Sequence, residues 1–145
     1  MQLSTHFDLS EFTKSSTAQA RHIDNTPNSV QIENLRFLCT QVLEPLREKL
    51  GTIVISSGFR SPALNNAVGG VKNSQHMTGE ACDIHLPSTA VGQQYFGFLK
   101  TLPVFDQLIW ERSNPRSSTY WIHVSVRRNG NNRRQVIPLL NKNNK

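Results

Sequence analysis

The apolar residues change their period partway along the chain, and that change is what most limits the folds open to it. Val30, Leu35, Leu38, Val42, Leu46 and Leu50 recur mostly every three or four residues, the spacing of one helix face. Past Gly51 the apolar runs shorten and become β-branched or period two: Thr52 to Ser57, Glu80 to Leu86, Phe105 to Glu111 and Tyr120 to Val126. Helices gathered early and strands gathered late predict an α+β domain, a small antiparallel sheet with flanking helices. At 145 residues the chain is long enough for one hydrophobic core, and no internal repeat or linker divides it. We therefore read residues 1–145 as a single domain.

Local signals refine the order of elements. Residues 1–27 are polar, with one short helical turn at most over Asp8 to Phe12. Asn28 or Ser29 caps the main helix, and Gly51 ends it. Pro45 kinks or divides that helix, because it lacks an N–H and crowds the preceding turn. Ser61-Pro62 opens a short helix that Gly69-Gly70 stops, and residues 71–80 form a loop. Ser88 caps a helix carrying Val91, Tyr95, Phe96, Phe98 and Leu99. Arg112 to Thr119 joins the last two strong strands as a hairpin loop, Gln135 to Leu140 adds an edge strand, and Asn141 to Lys145 frays.

Charge is unevenly distributed. Residues 1–111 hold 8 Lys+Arg and 10 acids, a net of −2, whereas residues 112–145 hold 8 Lys+Arg and no acid, a net of +8. From about residue 127 we expect a basic, partly flexible tail. Such a segment suits nucleic acid, a polyanionic surface or plain solvation, and composition does not choose among them. No apolar run approaches the ~20 residues that span a bilayer, and the first residues lack the basic and apolar regions of a secretory signal. Two cysteines, Cys39 and Cys82, cannot make a disulfide framework.

Metal-type side chains collect in three places. His76 lies in the loop before Asp83 of the second strand-like run, and His123 sits at the centre of the last strong strand. Two imidazoles and a carboxylate are a suitable set for zinc, with a fourth position left open to water. Glu111 ends the strand expected to pair with that of His123, where it can act as a general base. Spacing alone does not single out this set, since strand His and Asp residues also serve packing or face solvent. His85 shares a face with Asp83 by period two, so it could support one of the ligands or stand in for one.

Three runs add a resemblance: Ser57-Gly58-Phe59-Arg60-Ser61-Pro62, then Ser74-Gln75-His76 with Gly79-Glu80-Ala81 and Asp83-Ile84, then Trp121-Ile122-His123-Val124-Ser125. Together they resemble the zinc D-Ala-D-Ala carboxypeptidase and peptidoglycan endopeptidase family, over about Phe7 to Ser125. The resemblance implies the zinc fold shared with the hedgehog signalling domain. It makes His76, Asp83 and His123 the ligands of one zinc ion, Arg60 the catalytic and substrate-binding arginine, and Ser74 a substrate hydrogen-bonder. A guanidinium suits that place, because it forks onto a carboxylate and stabilises developing negative charge. Many members carry an acid three residues before the last histidine, where this chain has Tyr120. Glu111 is then the better base, as in the hedgehog-like pattern, with Asp106 as the alternative about five residues away along the strand.

The resulting expectation is a zinc peptidase cutting near D-Ala in peptidoglycan stem peptides. It is a monomer without a membrane span, and its basic C-terminal region can hold an anionic cell-wall surface. Lacking an export signal, it acts after release from the producing cell's cytoplasm by phage lysis, or as a virion component. A catalytically inactive zinc-fold module that binds wall or protein is the alternative. Nucleic acid is a poorer partner, since no recognition helix, zinc finger or aromatic RNA-binding signature accompanies the arginines.

Overall fold

A reciprocal cap starts the long helix. The backbone N–H of Gln31 donates to Asn28 Oδ1 at 2.9 Å, and that of Asn28 donates to Gln31 Oε1 at 2.8 Å. In the computed structural model, which describes residues 1–142, the helix α3 (Ser29–Leu38) runs into a π-helical turn (Cys39–Leu43) and then α4 (Glu44–Leu50). Pro45 sits in the first turn of α4. It has no N–H to give residue 41, and the chain absorbs this by widening one turn, with Glu44 N–H bonded to Cys39 O. Leu35, Leu38, Val42 and Leu46 are fully buried. Val30, expected in the same stripe, is exposed, because it lies in the first turn ahead of the core.

Two short helices precede α3. The expected turn is α1 (Ser10–Thr13), and α2 (Ser16–Ala20) follows, capped by Ser15 Oγ accepting from Ala18 N–H. The strands are β1 (Ile55–Ser57), β2 (Ala81–His85), β3 (Gln107–Arg112), β4 (Tyr120–Ser125) and β5 (Gln135–Asn141), in the sheet order β1-β2-β4-β3-β5. Helix α5 (Pro62–Ala67) lies between β1 and β2, and α6 (Thr89–Leu99) between β2 and β3. Period two sorts the sheet faces. Cys82, Ile84, Leu108, Ile122 and Val124 turn into the core beneath α3, α4 and α6, leaving Asp83, His123 and Glu111 on the opposite face.

The sheet is not wholly antiparallel. Strand β5 runs parallel to β3, with Gln107 opposite Gln135 and Ile109 opposite Ile137. The cause is the path of the chain. Antiparallel pairing puts the end of β4 beside the start of β3, Ser125 opposite Gln107. Residues 126–134 cross below that end, so the strand they deliver at the outer edge must run in the direction of β3.

That connection carries the basic segment expected to stand off as a tail. Arg134 donates from Nε and Nη2 to Leu102 O and from Nη2 to Lys100 O, and its guanidinium lies 5.2 Å from the Phe105 ring centre. Arg128 Nε donates to Asn34 Oδ1 at 3.0 Å. Residues 143–145, part of the end expected to fray, lie outside the described residues. No helix among the described residues is long and apolar enough to cross a membrane.

Candidate active site

Register across the sheet brings the strand residues together. Asp83 on β2 is directly opposite His123 on β4, which is directly opposite Ile109 on β3. Glu111, two residues along β3, therefore reaches His123 diagonally on the same face. His123 Nδ1 lies 3.3 Å from Asp83 Oδ1 and 3.9 Å from Glu111 Oε1.

His76 arrives from a 3-10 turn, Gln75–Thr78, whose placement is local chemistry plus one long-range brace. Ser74 Oγ caps the turn by accepting from His76 N–H at 3.1 Å. Gly79 closes it in the left-handed region, φ 77°. Helix α3 holds it from the side: Gln31 Nε2 donates to Met77 O, and Asn34 Nδ2 donates to Thr78 O. The ring nitrogen Nδ1 is 2.7 Å from Gly58 O. A carbonyl only accepts, so Nδ1 carries the proton and Nε2 presents its lone pair 3.3 Å from Asp83 Oδ1.

One ligand atom from each of His76, Asp83 and His123 lies within 4.8 Å of the others, and all three residues are buried. The set fits a metal ion. His76 Nε2 is buried without a hydrogen bond, and a second partner orients the ring through Nδ1. The electrostatics agree: burial drives the His76 imidazole toward its neutral form, against the pull of Asp83. Burial pushes the Asp83 carboxyl up, but the flanking His76 and His123 side chains outweigh it and hold it well below the ordinary carboxylate range. Neutral imidazoles and an ionised carboxylate are what a divalent cation requires.

Arg60, expected beside the ligands, is there. Its side chain is buried, and burial lowers its pKa against the opposing pull of Asp83 and Glu111. Asn65 on α5 aims it, accepting from Arg60 Nη1 at 3.1 Å while its own Nδ2 donates to Val71 O at 2.9 Å. Gly70 packs on this pair so closely that a Cβ would lie 2.0 Å from Asn65 Oδ1 and 2.7 Å from Arg60 Nη1. Arg60, Ser74, His76, Asp83, Glu111 and His123 all line one cleft of about 330 Å³. Every residue expected at the site thus converges there, and Ser74 is also the cap that sets the His76 backbone.

Other candidates fall elsewhere. His85 is exposed and stands apart from the three ligands. Tyr120 hydrogen-bonds Arg112 Nη1 through its hydroxyl, and neither tryptophan lines the cleft. Cys39 and Cys82 are buried in the core, where burial pushes the Cys39 thiol up to about 12. His6 is exposed and pairs with Glu44. Asp106 does not approach the histidines. It is fully buried and takes hydrogen bonds from Arg133 and Gln75. Asn65, Gln75 and Asp106 are the supporting residues that sequence reasoning missed as such, because their partners are distant in sequence or come from loops.

The chemistry available is hydrolytic in kind: a metal-ligand set with an open side, an adjacent carboxylate and a buried guanidinium in one cleft. No curated protein matches the chain. Residues 5–125 match the family model for Peptidase M15, so the chain belongs to the M15 peptidase family.

Proposed function

We propose that this chain is a zinc-dependent peptidase that hydrolyses bonds adjoining D-alanine in peptidoglycan stem peptides. Its setting would be cell-wall degradation of the kind a phage uses at lysis. The observation that carries the reading is the convergence of His76, Asp83 and His123 beside Glu111 within one cleft. His76 through Nε2, Asp83 through a carboxylate oxygen and His123 through Nδ1 would hold the ion. When bound, zinc supplies positive charge that acidifies water and polarises a scissile carbonyl.

The protein residues account for the proton and charge movements. Glu111 takes a proton from the attacking water and returns it to the leaving amine as the C–N bond breaks. Arg60, held by Asn65, stabilises the negative charge that gathers on the carbonyl oxygen. Ser74 keeps a hydroxyl hydrogen to offer a peptide carbonyl while its oxygen caps the His76 turn. Within the basic segment Arg133 bonds Asp106, Arg134 bonds carbonyls and Arg128 bonds Asn34, so these arginines are held by the fold and are not a free polycationic tail.

The test is mass spectrometry of purified muropeptides after digestion by the zinc-loaded chain. We expect loss of a peptide bond at D-Ala in the wild type. Glu111→Gln should cut it ~10²–10⁴-fold more slowly while still binding zinc. Tight zinc with no turnover on any muropeptide would replace this reading with a non-catalytic, wall-binding module.

A further inference from the structure

We propose that Arg127 and Arg133 form a carboxylate-binding subsite at one wall of the cleft, preorganised by the buried Asp106; this rests on the peptide-hydrolysing reading above. Arg133 forks onto Asp106, with Nε to Oδ1 at 3.0 Å and Nη2 to Oδ2 at 2.7 Å, and its backbone N–H also reaches Oδ1 at 3.0 Å. Arg127 Nε stands 3.3 Å from Oδ2. Gln75, the neighbour of the ligand His76, donates its Nε2 to the same Oδ2 at 3.0 Å. One carboxylate with no solvent exposure therefore fixes two guanidiniums and ties them to the turn that carries His76.

The charges do not cancel. A single Asp106 faces two arginines, and Arg133 spends two of its five side-chain N–H groups on that fork. Both arginines line the cleft that contains His76, Asp83, His123 and Glu111. The cleft's lining cations are Arg60, Arg127, Arg133 and Lys142, against the acids Asp83 and Glu111. That excess calls for an anionic ligand group, and the remaining guanidinium N–H groups match a carboxylate. Both arginines lie beyond residues 5–125, so they are outside the segment matched to the family. The ligand class is a peptide bearing a free carboxylate, either at its C-terminus or on an internal acidic residue.

Calorimetric titration separates the possibilities. The zinc-loaded full chain carrying Glu111→Gln is titrated with an N-acetylated stem tetrapeptide in three forms: unmodified, C-terminally amidated, and amidated at its internal acidic residue. We expect one amidation to weaken binding by about tenfold or more, the scale of one charge-assisted hydrogen-bond pair, and so to identify which carboxylate is held. Adding Arg127→Gln and Arg133→Gln together should leave all three forms bound equally weakly. Arg127→Gln alone keeps the Arg133–Asp106 fork, so it remains folded and should lose about threefold of the discrimination. The proposal fails if neither amidation weakens binding, if no form binds, or if Arg127→Gln retains full discrimination. A wild-type chain that discriminates yet leaves every peptide intact keeps this subsite and overturns the peptidase reading. A chain that cuts all three forms with equal kcat/KM does the reverse.

Discussion

Arg60 owes its position to a neighbour five residues on. Asn65 accepts from Nη1, and the close approach of Gly70 leaves that pair no room to shift. Asn65→Ala should leave zinc binding intact, since no ligand touches it, while lowering kcat roughly tenfold through a mobile guanidinium. Asn65→Asp keeps the oxygen that accepts from Arg60 but loses the donor to Val71 O, so it should restore only part of the rate; steady-state kinetics on a muropeptide checks both. At this scale the sequence was most readable where a residue type is itself the chemistry. His76, Asp83, His123 and Glu111 stood out as metal- and base-type side chains, and the family resemblance assigned their roles and added Arg60. Asn65 did not stand out, because an asparagine in a short helix carries no sign of its partner until α5 folds back on Arg60.

The element that sets the candidate ligand His76 is the 3-10 turn Gln75–Thr78, and its exit is strained for any residue but glycine. Gly79 has φ 77°, and a Cβ there would lie 2.4 Å from Gln31 O in the first turn of α3. That neighbour is backbone and cannot swing aside. Gly79→Ala should cost about 1–3 kcal/mol of stability and weaken zinc affinity along with it, because His76 moves with the turn. Thermal unfolding with and without zinc reads both effects. Periodicity predicted α3 and the strands β2, β3 and β4 (Ala81–His85, Gln107–Arg112, Tyr120–Ser125), and the missing N–H of Pro45 predicted the irregularity that appears as the π-helical turn just before it. Periodicity missed α2, whose five residues bury mainly Ala18 and so leave no stripe, and it gave β5 no direction, which depends on where β4 ends.

The whole molecule should respond to acid and to metal through its buried ionised groups. Burial would raise the Asp106 carboxyl, but the side-chain and backbone hydrogen bonds of Arg133, with Gln75, hold it at about 2 against an ordinary 3.8. A folded pKa below the unfolded one stabilises the ionised form. The contribution is complete above 3.8 and is lost as pH falls through about 2. Asp106→Asn should therefore lower Tm at neutral pH, by an amount equivalent to roughly 1.5–3 kcal/mol, and the gap from wild type should close as the pH drops through that window. Scanning calorimetry across the range decides it. If His76, Asp83 and His123 hold zinc only in the folded chain, chelation should lower Tm and zinc should restore it; His76→Ala should abolish that response.

The sequence by itself determined the chemistry on offer: an α+β pattern, two histidines, two carboxylates and an arginine suited to a metal-dependent hydrolase, and a basic end without acids. The pattern and the charge are properties of residue type and of spacing over a few positions, whereas the hydrolase set stood out through the three runs that resemble a known family. Only the tertiary structure decided how they combine. Asp83 meets His123 because residues 40 apart fall in register on neighbouring strands. Glu111 reaches that pair diagonally, while Asp106, five residues earlier, is taken up by Arg133. The charge of Arg127 and Arg133 is likewise a placed charge, because the connection before β5 sets both at the cleft. Hydrogen-bond register and the burial of one aspartate fix those neighbours, and neither is written in any local stretch of the chain.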